Sequence, residues 1–382
     1  MPNSKLLIAP LLHSHIENII PVQVKVDVAT ELQSLIKLVM LRVETTDGSS
    51  TSSYDLSSMP TSGLARFEIE SALQFCFEKF TQQTVSTEHA AIFKEEGYVL
   101  KYRLYATLYT VSGAYDTEEI LSSGTINLWY AYRAGLSDTV FASGFNVFTD
   151  KHFSSAANYF LTSRTASQAL TVRENEQRRF WFLSRNNETF KLTNIYNQSI
   201  TVEYANTEVA CLALDLDQIR SQFYYTYGHL PNVIDIERTG FAKITFAIVP
   251  SLPSKKIRVL EFTNAWEVKD KVELTGDMEL NATSDDEAYD RYYPASGGFY
   301  KSINRSSSDQ SLTGSVGYKT PAELMWISDM LSSPEVFLIE NGSKFPVVVK
   351  RDSHVIASDS FVPGSISIEI NFSIKNNRYT PV

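Results

Sequence analysis

The sequence predicts a mainly β protein: several domains of antiparallel β-sandwich type, with a few short helices. Three observations carry that expectation. Apolar and polar residues alternate in many short runs, from Val22, Val24, Val26 and Val28 to the Ser365–Ile374 stretch near the end. Turn-forming residues separate these runs at a spacing of about ten residues, as in sandwiches. Tyr and Phe, at 20 and 22 copies, supply side chains that favour strands. With 382 residues the chain exceeds one ordinary core, which suggests two or three domains.

Taken in order, Val22–Val28 reads as a half-buried strand and Leu35–Val43 as a second, mostly apolar one. Thr45–Gly63 is rich in Ser, Thr and Gly and reads as a long loop. Phe67 and Ile69 alternate, and then Leu73, Cys76, Phe77 and Phe80 recur at helical spacing, predicting a short helix near 70–80. Tyr98–Val111 and Gly124–Tyr132 return to strands, with Leu100, Tyr102, Leu104, Ala106 and Leu108 on one face. These elements form an N-terminal β-rich domain, 1–135. Residues 136–165 interleave Phe141, Phe145, Phe148, Phe153, Tyr159 and Phe160 with Gly and Ser, an aromatic connector that packs locally or meets a partner.

A middle β-sandwich, 166–252, is read from strand runs at Phe180–Ser184, Phe190–Ile195, Ile200–Tyr204, Val209–Leu216, Val233–Ile236 and Phe241–Val249. Within it, Asp217–Tyr227 fits either a helical turn or an aromatic loop. Pro250–Ser254 is the linker. A C-terminal β-rich domain, 256–382, follows, with a helix near 321–332. There Thr320 can cap the free amides, Pro321 suits the first helical position and Glu323 can close a capping box. Leu324, Ile327 and Leu331 make the buried stripe, and a hairpin turns at Asn341–Gly342. Asn281–Asn304 reads as an acidic, Tyr-rich insertion ending in a mobile loop.

A formal charge of -10 argues against a nucleic-acid partner, which needs a basic surface to neutralise phosphates. No apolar run approaches the roughly 20 residues of a spanning helix, so membrane insertion is not expected. The N-terminus lacks the pattern of a signal peptide, which implies synthesis and folding in the cytoplasm. Cys76 and Cys211 sit among apolar neighbours and read as buried, reduced thiols.

No phosphate-binding glycine loop, dinucleotide fingerprint, zinc-protease helix, nucleophile elbow or CxxC pair is present. His13-Ser14-His15 could set two imidazoles on one face of a strand, but without a nearby carboxylate or thiol it reads as an arm rather than a zinc site. Asp215 with Asp217, and Asp285-Asp286-Glu287 with Asp290, are the acidic pairs that two-carboxylate chemistry would need. The first reads as a polar strand end and the second as a solvated loop. The reading is therefore non-enzymatic, with no catalytic residue, cofactor or metal ligand assigned. Instead, the runs Phe223–Tyr227 and Tyr289–Tyr293 hold more rings than one core can take. Tyr224, Tyr225, Tyr227, Tyr289, Arg291, Tyr292 and Tyr293 are candidate contacts to a partner or a glycan.

The segments Gly63–Ile69, Glu261–Trp266, Thr320–Leu324 and Trp326–Ser333, in that order, carry a resemblance across most of the chain. Together they resemble a group of uncharacterised tail-associated proteins from prophages and phage-like elements of gut bacteria. That resemblance implies a virion structural protein of the tail or baseplate, assembled into the particle after synthesis. Its partners would be other structural proteins of the same assembly and further copies of itself. The matching positions are turn, cap and core residues, so no catalytic role is carried over. The competing expectation is an adhesin-like module that binds carbohydrate or a cell surface, with Tyr224, Tyr225, Tyr292 or Tyr293 as stacking platforms for a surface glycan.

Overall fold

The computed structural model describes residues 4–10, 13–15, 18, 20–47, 50–81, 90–133, 159–164, 169–176, 178–250, 258–295, 297–317, 319–340, 342–351 and 365–372. The chain is mainly β, built from several antiparallel sheets with a few short helices. Two compact units are present, each made of separated stretches of chain. One comprises 1–161, 179–231 and 235–244, and the other 162–178, 232–234 and 245–382. The sequence-derived divisions at 135, 165 and 252–256 fall elsewhere. A physical reason is that Ala210–Asp215 pairs with Ile92–Glu95 across more than a hundred residues, which no local signal announces. Residues 136–158 of the aromatic connector and the linker from 251 onward lie outside the described residues.

In the first unit, Ser4–Ile8, Pro21–Val26 and Leu64–Glu68 form an antiparallel three-stranded sheet. A larger sheet runs His13–His15, Trp129–Tyr132, Val99–Thr110, Leu38–Asp47, Ser50–Ser58, with two-residue strands at 113–114 and 119–120 beside Val99–Thr110. Alternation decides which faces meet. Val22, Val24 and Val26 point inward from the small sheet; Leu100, Tyr102, Leu104, Ala106 and Leu108 do so from the large one. Both sets share one hydrophobic core with Leu73, Cys76 and Phe77 of the Glu70–Thr81 helix. The stretch read as a long loop at Thr45–Gly63 is mostly the Leu38–Asp47/Ser50–Ser58 hairpin, whose second strand is polar because it is a sheet edge.

The same unit contains a second sheet, Arg179–Ser184, Ala210–Asp215, Ile92–Glu95, all antiparallel. Every residue of Ala210–Asp215 is buried, so the strand reads as a continuous apolar run rather than an alternating one. Glu188–Asn194 and Ser199–Tyr204 make a hairpin. Tyr159, Phe160, Phe180, Phe182, Phe190 and Phe241 pack as a chain of rings, mostly edge-on or tilted, at centroid separations of 4.7–6.3 Å. Arg238 lies in that aromatic cluster, 3.9 Å from the Phe241 ring, and grips Glu188 with two hydrogen bonds.

In the second unit, Leu170–Arg173 pairs in parallel with Phe246–Val249. A seven-stranded sheet follows the order Lys269–Leu274, Arg258–Thr263, Val336–Glu340, Ser343–Arg351, Ser367–Phe372, Gly298–Ser315, Met278–Tyr293. The Pro321–Ser332 helix covers one face of it. Thr320 and Glu323 form the reciprocal capping box, and Leu324, Trp326, Ile327, Met330 and Leu331 enter the core with Leu260, Phe262, Leu338, Ile368 and Ile370. The Val336–Glu340/Ser343–Arg351 hairpin turns with Gly342 at φ 78, a left-handed position that suits glycine.

The last two strands of the order make the unusual element of this unit. Asn281–Asn304, expected to end in a mobile loop, is an extended hairpin of strands Met278–Tyr293 and Gly298–Ser315, with a bulge between Asp285 and Asp286. Only Ser311–Ser315 of the inner strand pair onward into the sheet, with Ser367–Asn371. Among the described strands, the stretch from Gln310 to Gly298 therefore pairs with Met278–Tyr293 alone. That ribbon extends roughly 40 Å at about 3.3 Å per residue. At its root three glycines allow close approach. A Cβ on Gly276 would collide with Ser315, one on Gly314 with the Asp277 carbonyl and one on Gly317 with the Thr275 hydroxyl. No helix among the described residues is long and apolar enough to cross a membrane.

Candidate contact surfaces

The first surface, on the first unit, is built by a helix that the sequence left ambiguous. Asp215 ends its strand and caps the Leu216–Tyr227 helix, its carboxylate accepting from the amides of Asp217 (2.9 Å) and Gln218 (3.2 Å). Gly228, at φ 79, stops the helix and donates its N–H to the Tyr224 carbonyl. Leu216, Ile219 and Phe223 face inward at helical spacing, which sends Tyr224 and Tyr225 outward. Tyr225 is 85% exposed. Tyr227 leans back: its hydroxyl donates to the Ser199 carbonyl at 2.8 Å and its ring packs near Phe223.

Beside the helix lies the turn between Glu188–Asn194 and Ser199–Tyr204. Asn194 organises it, accepting the amides of Tyr196 and Gln198 on one oxygen while its nitrogen sits 3.1 Å from His229 Nε2. The Tyr196 ring meets His229 edge-on. Ile195, Tyr196 and Leu230 are thus exposed alongside the tyrosines. Sequence reasoning missed these three. Ile195 was read as the end of a strand, and the tight turn at Tyr196-Asn197, with Asn197 at φ 59, was the signal available.

The ribbon tip of the second unit is the other surface. Tyr292 stands directly opposite Phe299, and their rings meet at 5.3 Å and 60°. Arg291 stands opposite Tyr300, Asp290 opposite Lys301 and Tyr289 opposite Ser302. Residues opposed across a ladder share a face, so Tyr292 and Phe299 crown one face while Tyr289, Arg291 and Tyr300 crown the other. All five are exposed, Phe299 at 74%. Tyr293 pairs with Gly298 by backbone, and its side chain lies outside the described residues. Phe299 and Tyr300 were missed because the ribbon's second strand was not foreseen.

Acidic groups are placed differently from the sequence expectation. Asp215 is a helix cap that also accepts from Arg179 Nε at 3.0 Å, and Asp217 belongs to the helix, so the two do not share a strand face. The side chains of Asp285, Asp286 and Glu287 lie outside the described residues, as do those of His13 and His15. Among the described residues no group of three or more His, Cys, Asp or Glu could hold a metal ion. Both cysteines are free and buried, and burial, with Glu95 nearby, pushes the Cys211 thiol far up.

The second unit also contains a buried polar network formed by its own segments. Asp270 accepts on one oxygen from Trp326 Nε1, Asn264 Nδ2 and Thr162 Oγ1 at 3.1–3.3 Å. Arg164 lies 3.5 Å over the Trp326 ring and donates to Glu176 and the Lys271 carbonyl. Glu176 also accepts the amides of Arg173 and Glu273. Burial raises the Asp270 carboxyl above the ordinary range, with Arg164 and the three donors opposing. Burial lowers the Lys319 ammonium. These groups are engaged by one another in the interior, which suits a structural role.

No protein-family model matches the chain, and no match is found among curated proteins.

Proposed function

We propose that this chain is a non-enzymatic structural subunit of a phage particle or phage-like assembly, associated with the tail or baseplate, and that the Met278–Ser315 ribbon makes its principal contact. The observation that carries the reading is the ribbon tip. Tyr289, Arg291, Tyr292, Phe299 and Tyr300 crown both faces of a two-stranded arm. Aromatic residues and Arg dominate the energetic centres of protein interfaces, and a two-stranded ribbon alone is marginal in water. The prophage resemblance supplies the kind of assembly, and the engagement of buried acids in internal networks favours a scaffold over a catalyst.

Mass spectrometry of purified particles from the source tests membership: the chain's peptides should be recovered in fixed ratio to other particle proteins. Their absence overturns the reading. Tyr292→Ala with Phe299→Ala should leave the thermal midpoint unchanged while the chain drops out of the particle. The alternative, a carbohydrate- or cell-surface-binding module, is favoured by Tyr225, an open ring held on a doubly capped helix. It predicts glycan-array signals that Tyr224→Ala with Tyr225→Ala removes and that the ribbon substitutions do not.

A further inference from the structure

Among the described strands, the ribbon ends the seven-stranded sheet and Met278–Tyr293 is its outermost strand. An outermost strand presents alternate backbone N–H and C=O groups outward, a template for another strand. Here the template is sixteen residues long. Over its distal part only one other described strand supports it. Two strands without a third are marginal in water, so a further strand is the addition that would stabilise the arm most directly.

Charge decides what that strand can be. Met278–Tyr293 carries Glu279, Asp285, Asp286, Glu287 and Asp290 against one base, Arg291. The inner strand answers two of the acids by register, placing Arg305 opposite Asp286 and Lys301 opposite Asp290. Glu279, Asp285 and Glu287 stand opposite Thr313, Ser307 and Asn304, which are uncharged. The three are odd-numbered positions of the same strand. Two copies of this strand laid edge to edge would bring together two segments that each carry five acids to one base, an arrangement that like-charge repulsion disfavours. A basic strand would meet these acids with opposite charge.

Resting on the proposal that the ribbon is the contact element, we infer that the outer edge of Met278–Tyr293 takes up an extended, basic segment of a different polypeptide as a third strand. This edge is not the place where copies of the chain join one another. Tyr289 and Arg291, near the tip of the same strand, would flank the end of the added strand.

The experiment uses the full chain at low ionic strength, with amide hydrogen exchange read by mass spectrometry over 278–293. Three nine-residue peptides serve as probes: alternating Lys–Val, alternating Glu–Val, and Lys–Pro of equal charge that cannot form a ladder. The Lys–Val peptide should slow exchange in 278–293, and the other two should not. Asp285→Asn with Glu287→Gln, which keep size and remove charge, should weaken that effect about tenfold. Equal protection by Lys–Pro would show charge alone at work and overturn the inference, as would protection by Glu–Val or by no peptide. Exchange already slow in the free chain would overturn it too. If independent of concentration, it would mean the chain covers its own edge; if dependent, a second copy does. Recovery of the chain in particles is a separate measurement, so edge protection stands or falls independently of particle membership.

Discussion

Replacing Glu188 by Gln should cost the first unit about 3 kcal/mol, near the low end of the roughly 3–5 kcal/mol for breaking a buried ion pair. Arg238 donates from Nε at 2.8 Å and from Nη2 at 2.6 Å to the two carboxylate oxygens, and the two side chains are only 2% and 8% exposed. At an effective dielectric of about 20, unit charges about 4 Å apart attract by about 4 kcal/mol. Gln removes that attraction and leaves the guanidinium buried. Some compensation remains: Nη2 keeps its bond to the Leu183 carbonyl, and the Phe241 ring stays 3.9 Å from the guanidinium carbon. Those two contacts, at about 1 kcal/mol each, are the reason to expect the lower figure. Urea unfolding followed by tryptophan fluorescence reads the loss, with Trp181 neighbouring the cluster, and exchange of the Glu188–Asn194 amides confirms where it falls. A loss below about 1 kcal/mol would refute the reasoning, because a pair that cheap to break is a solvated one. Glu188→Leu combined with Arg238→Leu should recover most of the loss; a double variant as damaged as the sum of the singles would contradict it equally.

Three further outcomes are expected. Because burial raises the folded-state pKa of Asp270 above its unfolded value, the native state holds that proton more tightly. The associated stability is present below the ordinary carboxylate pKa of about 3.9 and is lost as pH rises through the raised value. The stability of the wild type relative to Asp270→Asn should therefore fall from pH 4 upward, and a flat or rising difference in denaturation midpoints would exclude this. Thr320→Ala removes the side-chain acceptor of the Glu323 amide and should cost about 1 kcal/mol, read as a lower midpoint for the second unit. Cys211, buried with its thiol pushed far up, should resist a thiol reagent until urea unfolds the chain; rapid labelling of native protein would place it at the surface.

Where sequence reading succeeded, local chemistry was sufficient. The Thr320-Pro321-Ala322-Glu323 start became the capping box it suggested, and Val22, Val24 and Val26 turned their alternate faces to the core. It failed where a signal was non-local or polar. Ser50–Ser58 read as part of a loop and Asn281–Asn304 as an insertion ending in a mobile loop, because edge strands face water and lose the apolar alternation that marks a strand. Asp215 read as a strand end, yet it also starts a helix, and the stripe of Leu216, Ile219 and Phe223 was obscured by the tyrosines that follow it. The contact candidates were therefore legible as residue types, whereas Phe299, Tyr300 and Tyr196 became visible only with the turn and the ribbon that hold them. The pairing of Ile92–Glu95 with Ala210–Asp215 had no sequence signature at all.

Gly276, Gly314 and Gly317 give the arm a property that its tip alone would lack. Where they cross, the strands approach so closely that a Cβ at any of the three positions would meet Ser315, the Asp277 carbonyl or the Thr275 hydroxyl. The hinge position of a long lever is thus closed, and the Thr275, Ser315 and Val316 amides bond across or beside the crossing. An arm that swung freely would surrender orientational entropy each time it was captured, at a cost of several kcal/mol. One clamped at its base starts with that freedom already removed, so any partner of the tip would meet it at a fixed bearing from the sheet that carries it.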